Sequence, residues 1–129
     1  YYTDDYRQAP SNITDKNMDV SGWFDIKVSG NWELQGFGTA IYNNNGYEFK
    51  PRNSNTPHLR DAVPLGVYHR EIEIPAEWDG RDIYLHIAGA KSGVYVYING
   101  KEVGYNEDSK NPAEFLINPY VNIVSLIPI

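Results

Sequence analysis

The sequence predicts an all-β, antiparallel fold with little helix, and three observations carry that prediction. Aromatic residues make up 14% of the 129 residues, eleven of them Tyr, and such side chains suit a pleated surface. Eleven Gly and eight Pro punctuate the chain into short segments joined by turns. No window of a dozen residues sets apolar side chains at helical spacing without an intervening Gly or Pro, so at most one or two short helical turns are expected.

The first clear strand is expected over residues 67–74, where Tyr68, Ile72 and Ile74 fall on one face and His69, Glu71 and Glu73 on the other. Pro75 stops it. Ile83, Leu85 and Ile87 form the apolar face of the next strand, and Gly80 in Trp78-Asp79-Gly80 supplies the turn between them. That spacing predicts antiparallel neighbours. The strongest local signal follows at Val94-Tyr95-Val96-Tyr97-Ile98-Asn99-Gly100-Lys101-Glu102-Val103, because Asn-Gly accepts positive φ at both central positions of a type I′ turn. A two-residue loop there sets Ile98 against Lys101, Tyr97 against Glu102 and Val96 against Val103, with Val94, Val96 and Val103 on the core side. A terminal apolar strand is expected over residues 123–127, after the turn at Asn118-Pro119-Tyr120. Residues 29–45 and 53–64, rich in Gly, Asn and Pro, are expected to be long ordered loops, the kind that more often carry function.

Composition narrows the function. The length suits one domain, residues 1–129. A net charge of −6 repels phosphates, which argues against nucleic acid and anionic membranes as partners. The absence of Cys removes disulfides, thiolate metal sites and cysteine nucleophiles together. No apolar run approaches the roughly 20 residues of a membrane helix, and the first residues lack the basic and apolar regions of a secretion signal. His58, His69 and His86 show no metal-ligand spacing, and no metal site is expected. The carboxylates Asp25, Glu33, Glu48, Glu71, Glu77, Asp108 and Glu114 form no evident pair for glycoside hydrolysis. Ser92-Gly93 lacks the surroundings of a nucleophile elbow. Trp23, Trp32 and Trp78 either stack on sugar rings or anchor loops, with anchoring the commoner use. Asn12-Ile13-Thr14 matches a glycosylation acceptor, a triplet frequent by chance.

Four ordered stretches go beyond composition: Val28-Ser29-Gly30-Asn31-Trp32-Glu33-Leu34-Gln35-Gly36-Phe37-Gly38; Ile41-Tyr42-Asn43-Asn44; Gly66-Val67-Tyr68-His69-Arg70; and residues 96–105 with Asp108-Ser109 and Pro112-Ala113-Glu114-Phe115. Together they resemble the N-terminal sugar-binding domain of bacterial β-galactosidases of glycoside hydrolase family 2, over roughly residues 20–126. The resemblance implies a jelly-roll β-sandwich of the galactose-binding-domain type. It also implies that the acid/base and nucleophile glutamates lie in a separate barrel domain, so that this chain holds no catalytic residue and is a fragment of a larger retaining enzyme. Family members often use Mg and Na ions, none of them expected in this chain. Expected partners are galactosides, in the context of the whole enzyme, and its other domains. The compartment, cytoplasmic or periplasmic, stays open.

The resemblance assigns Asn44, at the end of the Ile-Tyr-x-Asn motif, to contact with the galactosyl group or its neighbours, with Tyr42 beside it. An amide both donates and accepts hydrogen bonds without charge, which suits selection among hydroxyl patterns. Asn43-Asn44-Asn45-Gly46 also reads as a plain turn. Departures from the family are Ala40 in place of the usual Pro, a shorter stretch between Tyr120 and Asn122, and an end at Ile129 before a Trp- and Asp-containing segment. Two other functions compete: a self-sufficient carbohydrate-binding module using aromatic platforms, and a structural or interface domain.

Overall fold

A computed structural model describes residues 1–40 and 62–123. The described residues are all-β and antiparallel, with no α-helix, consistent with the predicted sandwich class. Three two-stranded ladders pair β1 (Tyr2–Thr3) with β2 (Leu65–Gly66), β3 (Tyr84–Ile87) with β6 (Ala113–Leu116), and β4 (Val94–Ile98) with β5 (Lys101–Asn106). Four 3₁₀ turns, Tyr6–Gln8, Trp32–Gln35, Ala76–Trp78 and Asn118–Tyr120, exceed the one or two helical turns expected. Each is three or four residues long, too short for the periodicity that betrays a helix. The chain divides into two compact units, one of Tyr1–Ile13 with Asp19–His69, the other of Thr14–Met18 with Arg70–Ile129.

In the first unit backbone pairing is brief. Tyr2 faces Gly66 and Thr3 faces Leu65, and the Val67 N–H donates to the Tyr1 carbonyl at 2.8 Å. Thr3 is buried with its hydroxyl satisfied, accepting from the Asp5 N–H at 3.2 Å and donating to the Asp5 carbonyl at 3.1 Å. Asp5 in turn caps the first 3₁₀ turn, its carboxylate accepting from the Arg7 N–H and guanidinium.

The second unit holds the tightest burial, at Ile83, Val96 and Ile117. β3 has the expected faces, Leu85 and Ile87 half-buried and Tyr84 and His86 exposed. Its partner is β6, with Leu85 against Phe115 and His86 against Glu114, not residues 67–74 as the spacing suggested. Those residues, which follow β2, form no strand, and Tyr68 and Ile72 are exposed. Alternation reports which side chains share a face; it does not report which backbone supplies the hydrogen bonds. Asn118 extends the β3–β6 ladder with its side chain: Oδ1 accepts from the Ile83 N–H at 2.8 Å and Nδ2 donates to the Arg81 carbonyl at 2.7 Å. The amide thus imitates a peptide group where Pro119, which has no N–H of its own, follows in the chain.

The hairpin turn is as predicted, with φ of 51° at Asn99 and 77° at Gly100. Ile98 pairs with Lys101 and Tyr97 with Glu102, but a bulge then shifts Val96 onto Gly104 and Tyr95 onto Tyr105. An unbroken register would set Tyr105 against Val94, on the core side. The extra residue, Val103, moves Tyr105 to the outer face and brings Gly104 under Phe115, where a β-carbon would lie 2.6 Å from the ring. Of the terminal strand expected over residues 123–127, all but Ile123 lies outside the described residues.

Candidate functional site

Tyr42 and Asn44 lie outside the described residues, as do His58 and Glu48. What the structure describes is the stretch that precedes the motif in the chain, residues 30–40, and the aromatic cluster that holds it. The 3₁₀ turn Trp32–Gln35 ends at Gly36, whose φ of 95° is one that side-chain-bearing residues avoid. Gln35 fastens the turn to the preceding segment: Oε1 accepts from the Lys27 N–H at 2.8 Å and Nε2 donates to the Lys27 carbonyl at 3.0 Å. The Trp32 ring lies directly on the backbone of Gly66, leaving no room for a β-carbon there. Tyr2 meets Trp32 edge-on, with centroids 5.5 Å apart, and leans on Phe37 at 5.8 Å. Its hydroxyl reaches past Gly38, where a β-carbon would come within 2.7 Å of the phenol oxygen, to donate to Asp4 at 2.6 Å.

These rings, with Phe24, Gly66 and Tyr68, line a recess of about 30 Å³, room for a water or two. The ring contacts around it hold the stem. Burial, the hydrogen bond to Asp4 and the nearby carboxylates of Asp4 and Glu33 push the Tyr2 phenol up to about 12; burial and Glu33 also raise Tyr68. Both phenols stay protonated donors at neutral pH.

Trp23 is half-buried, between Tyr1 at 5.9 Å and the edge of His69 at 6.4 Å. Trp78 ends the 3₁₀ turn Ala76–Trp78 and is partly exposed. Two of the three Trp are thus bound into ring contacts within the first unit. Asp25, Glu71, Glu77, Asp108 and Glu114 are exposed; Glu114 meets His86 at 3.0 Å and Asp108 accepts from Asn111 at 3.0 Å. Hydrogen bonds from Arg7 hold the Asp5 carboxyl below its usual range, and the Ser21 N–H does the same for Asp19, the reverse of the raised pKa a general acid needs. Ser92 braces a loop, its N–H donating to the Ser109 hydroxyl at 2.7 Å. Among the described residues no three His, Asp or Glu side chains gather as metal ligands, and no helix is long and apolar enough to cross a membrane. Asn12 lies exposed in a turn.

A family model described as "Glycosyl hydrolases family 2, sugar binding domain" matches residues 4–125. The chain belongs to this family. It is 37% identical over 107 residues to a beta-galactosidase of Psychromonas ingrahamii, covering 83% of the chain and 10% of that protein. A beta-galactosidase of Vibrio cholerae is 34% identical, with 84% and 10% covered, and one of Halalkalibacterium halodurans is 32% identical, with 93% and 12% covered. The chain spans about a tenth of the length of the curated relatives it matches. Within the family 2 sugar-binding domain, the contacts explain part of the stretch that carried the resemblance: Trp32 needs Gly66, and Gln35 ties the turn to Lys27. Gly66 belongs to a stretch that carried the resemblance, but its pairing with Trp32, and that of Tyr2, is not legible from the residues, because each lies about thirty residues from Trp32 and only the folded contact joins them.

Proposed function

We infer that this chain is the non-catalytic sugar-binding domain of a retaining β-galactosidase, selecting galactosides while other domains of the same polypeptide supply the two glutamates. The observation that carries this reading is the family match over residues 4–125, joined by relatives that are each a beta-galactosidase. Most of the described candidate carboxylates support it, Asp25, Glu71, Glu77, Asp108 and Glu114 being exposed instead of facing one another in a cleft.

Asn44 is the residue proposed to touch the galactosyl group, with Tyr42 beside it. The support is the Ile41-Tyr42-Asn43-Asn44 motif itself and the ring-anchored stem that runs up to Ala40. A rigid stem lowers the entropy a loop loses when it orders around a ligand. No ion is assigned to this chain.

Asn44→Ala in the whole enzyme is expected to lower kcat/KM for galactosides at least about tenfold, or roughly 1.4 kcal/mol, within reach of one hydrogen bond lost in a desolvated pocket. Asn43→Ala and Asn45→Ala share the segment but not the motif position and are expected to stay within about twofold. Three indistinguishable variants reduce Asn44 to a turn residue, and an effect at Asn43 alone shifts the motif by one.

A further inference from the structure

The bulge in the β4–β5 hairpin has a chemical result that the stem does not share. It gathers Tyr95, Tyr97 and Tyr105 on the outer face, 60%, 39% and 45% exposed. Tyr95 and Tyr105 stand directly opposite, ring centroids 4.4 Å apart and planes tilted by 34°. Tyr105 leans across Gly93, where a β-carbon would come within 3.0 Å of the phenol oxygen. Its hydroxyl donates to Glu107 at 2.8 Å, and the Tyr97 hydroxyl donates to Glu102 at 3.3 Å. The result is a strip of tyrosines in which Tyr95 and Tyr105 cover one face of each other and leave the remaining ring surface exposed, edged by two oriented carboxylates on a hairpin held by its ladder and its type I′ turn.

We propose that this strip is a carbohydrate-binding platform for neutral galactosides, separate from the Asn44 motif. The proposal rests on the sugar-binding reading above and gives it a second contact surface. Aromatic rings take the apolar C–H face of a pyranose, and carboxylates accept from its hydroxyls. The Glu102 and Glu107 carboxylates at the edge of the strip set like charge against uronates, sialates and phosphates, which are disfavoured. A platform of this kind has no enclosing walls, so its affinity is millimolar, that of a site which adds avidity on larger substrates.

The test is titration of the ¹⁵N-labelled chain with lactose, to about 50 mM, followed by amide chemical shifts, with galacturonate as the anionic comparator. Lactose is expected to move the amides of Tyr95, Tyr97 and Tyr105 with saturation; galacturonate is expected to leave them in place. Tyr95→Ala should abolish the lactose response. Tyr95→Trp, which enlarges the ring, should keep or strengthen it, an outcome that a melted hairpin cannot produce. Asn44→Ala should leave this titration at Tyr95, Tyr97 and Tyr105 unchanged, so the platform and the motif fail separately. No saturable shift at these residues, equal response to galacturonate, or loss of binding in Tyr95→Trp overturns the proposal. So does a Tyr95-dependent dimer, seen by sedimentation, that lactose does not perturb, for the face would then be an interface between copies.

Discussion

The first unit and the β4–β5 hairpin of the second use similar residues to opposite ends. In the first, the rings of Trp32 and Tyr2 pack on one another and on glycine backbone, Trp32 on Gly66 and Tyr2 beside Gly38. Only two residue pairs of β1 and β2 hydrogen-bond as a ladder there, so order depends on side-chain contacts. In the hairpin five residue pairs form the ladder and the tyrosines turn outward. Rings that hold the backbone are not available to a ligand, whereas rings that the backbone holds are. The Trp residues, the first choice for a sugar platform by type, belong largely to the former group, and the hairpin tyrosines to the latter.

This contrast breaks most sharply at glycine. Gly66→Ala forces the Trp32 ring from its seat, and overfilling of this kind typically costs 1–3 kcal/mol. A loss of about 2 kcal/mol, a roughly thirtyfold faster amide exchange, is expected at Gly36 and Phe37 with little change in β4 and β5. Equal acceleration in both places would show that the first unit does not depend on its ring contacts in the way described.

In the hairpin the corresponding weak point is the turn. Gly100→Val is expected to cost about 1 kcal/mol or more, because Gly100 has a φ of 77° and an added β-carbon would lie 3.2 Å from the Lys16 nitrogen. Lys101→Val, one residue on at an exposed strand position, should cost less than about 0.5 kcal/mol. Denaturant midpoints with unchanged slopes measure both. Equal costs would contradict the turn geometry.

The different legibility of the two regions has the same origin. Asn99-Gly100 fixes its turn within two residues, so the hairpin and its first pairs follow from the sequence. The bulge does not, since it answers to Gly104 meeting Phe115 and Tyr105 meeting Tyr95, contacts that alternation alone cannot rank. For the same reason β3 was assigned the right faces and the wrong neighbour. Trp32 packs on Gly66 and Tyr2, a seat not legible in the sequence, because nothing in the neighbourhood of one residue names the others. Tyr42 and Asn44 come from motif resemblance and fall outside the described residues, so their roles rest on that motif. The inward valines of β4 place Tyr95 and Tyr97 outward by alternation, whereas Tyr105 joins them only through the bulge.

A smaller effect sharpens the comparison through pH. The Tyr2 phenol titrates near 12 in the fold, against an ordinary value of 10. Since the folded pKa is raised, the protonated phenol stabilises the fold fully below about pH 10, and that contribution is lost as pH rises through the folded value. Stability should therefore decline between about pH 10 and 12, and Tyr2→Phe should flatten part of the decline. An identical pH profile in the variant would mean that the ring, and not its hydroxyl, is what matters at this position.

The proposed function is a division of labour in which this domain recognises sugar and other domains perform the hydrolysis. Its most direct test is turnover of 4-nitrophenyl β-galactoside by the purified 129-residue chain, alongside the same chain with Glu33→Gln and Glu114→Gln. No release of nitrophenol above the uncatalysed rate is the predicted result. Turnover that copurifies with the chain and disappears with either substitution would contradict it, because a carboxylate of this domain would then be doing the chemistry assigned to another.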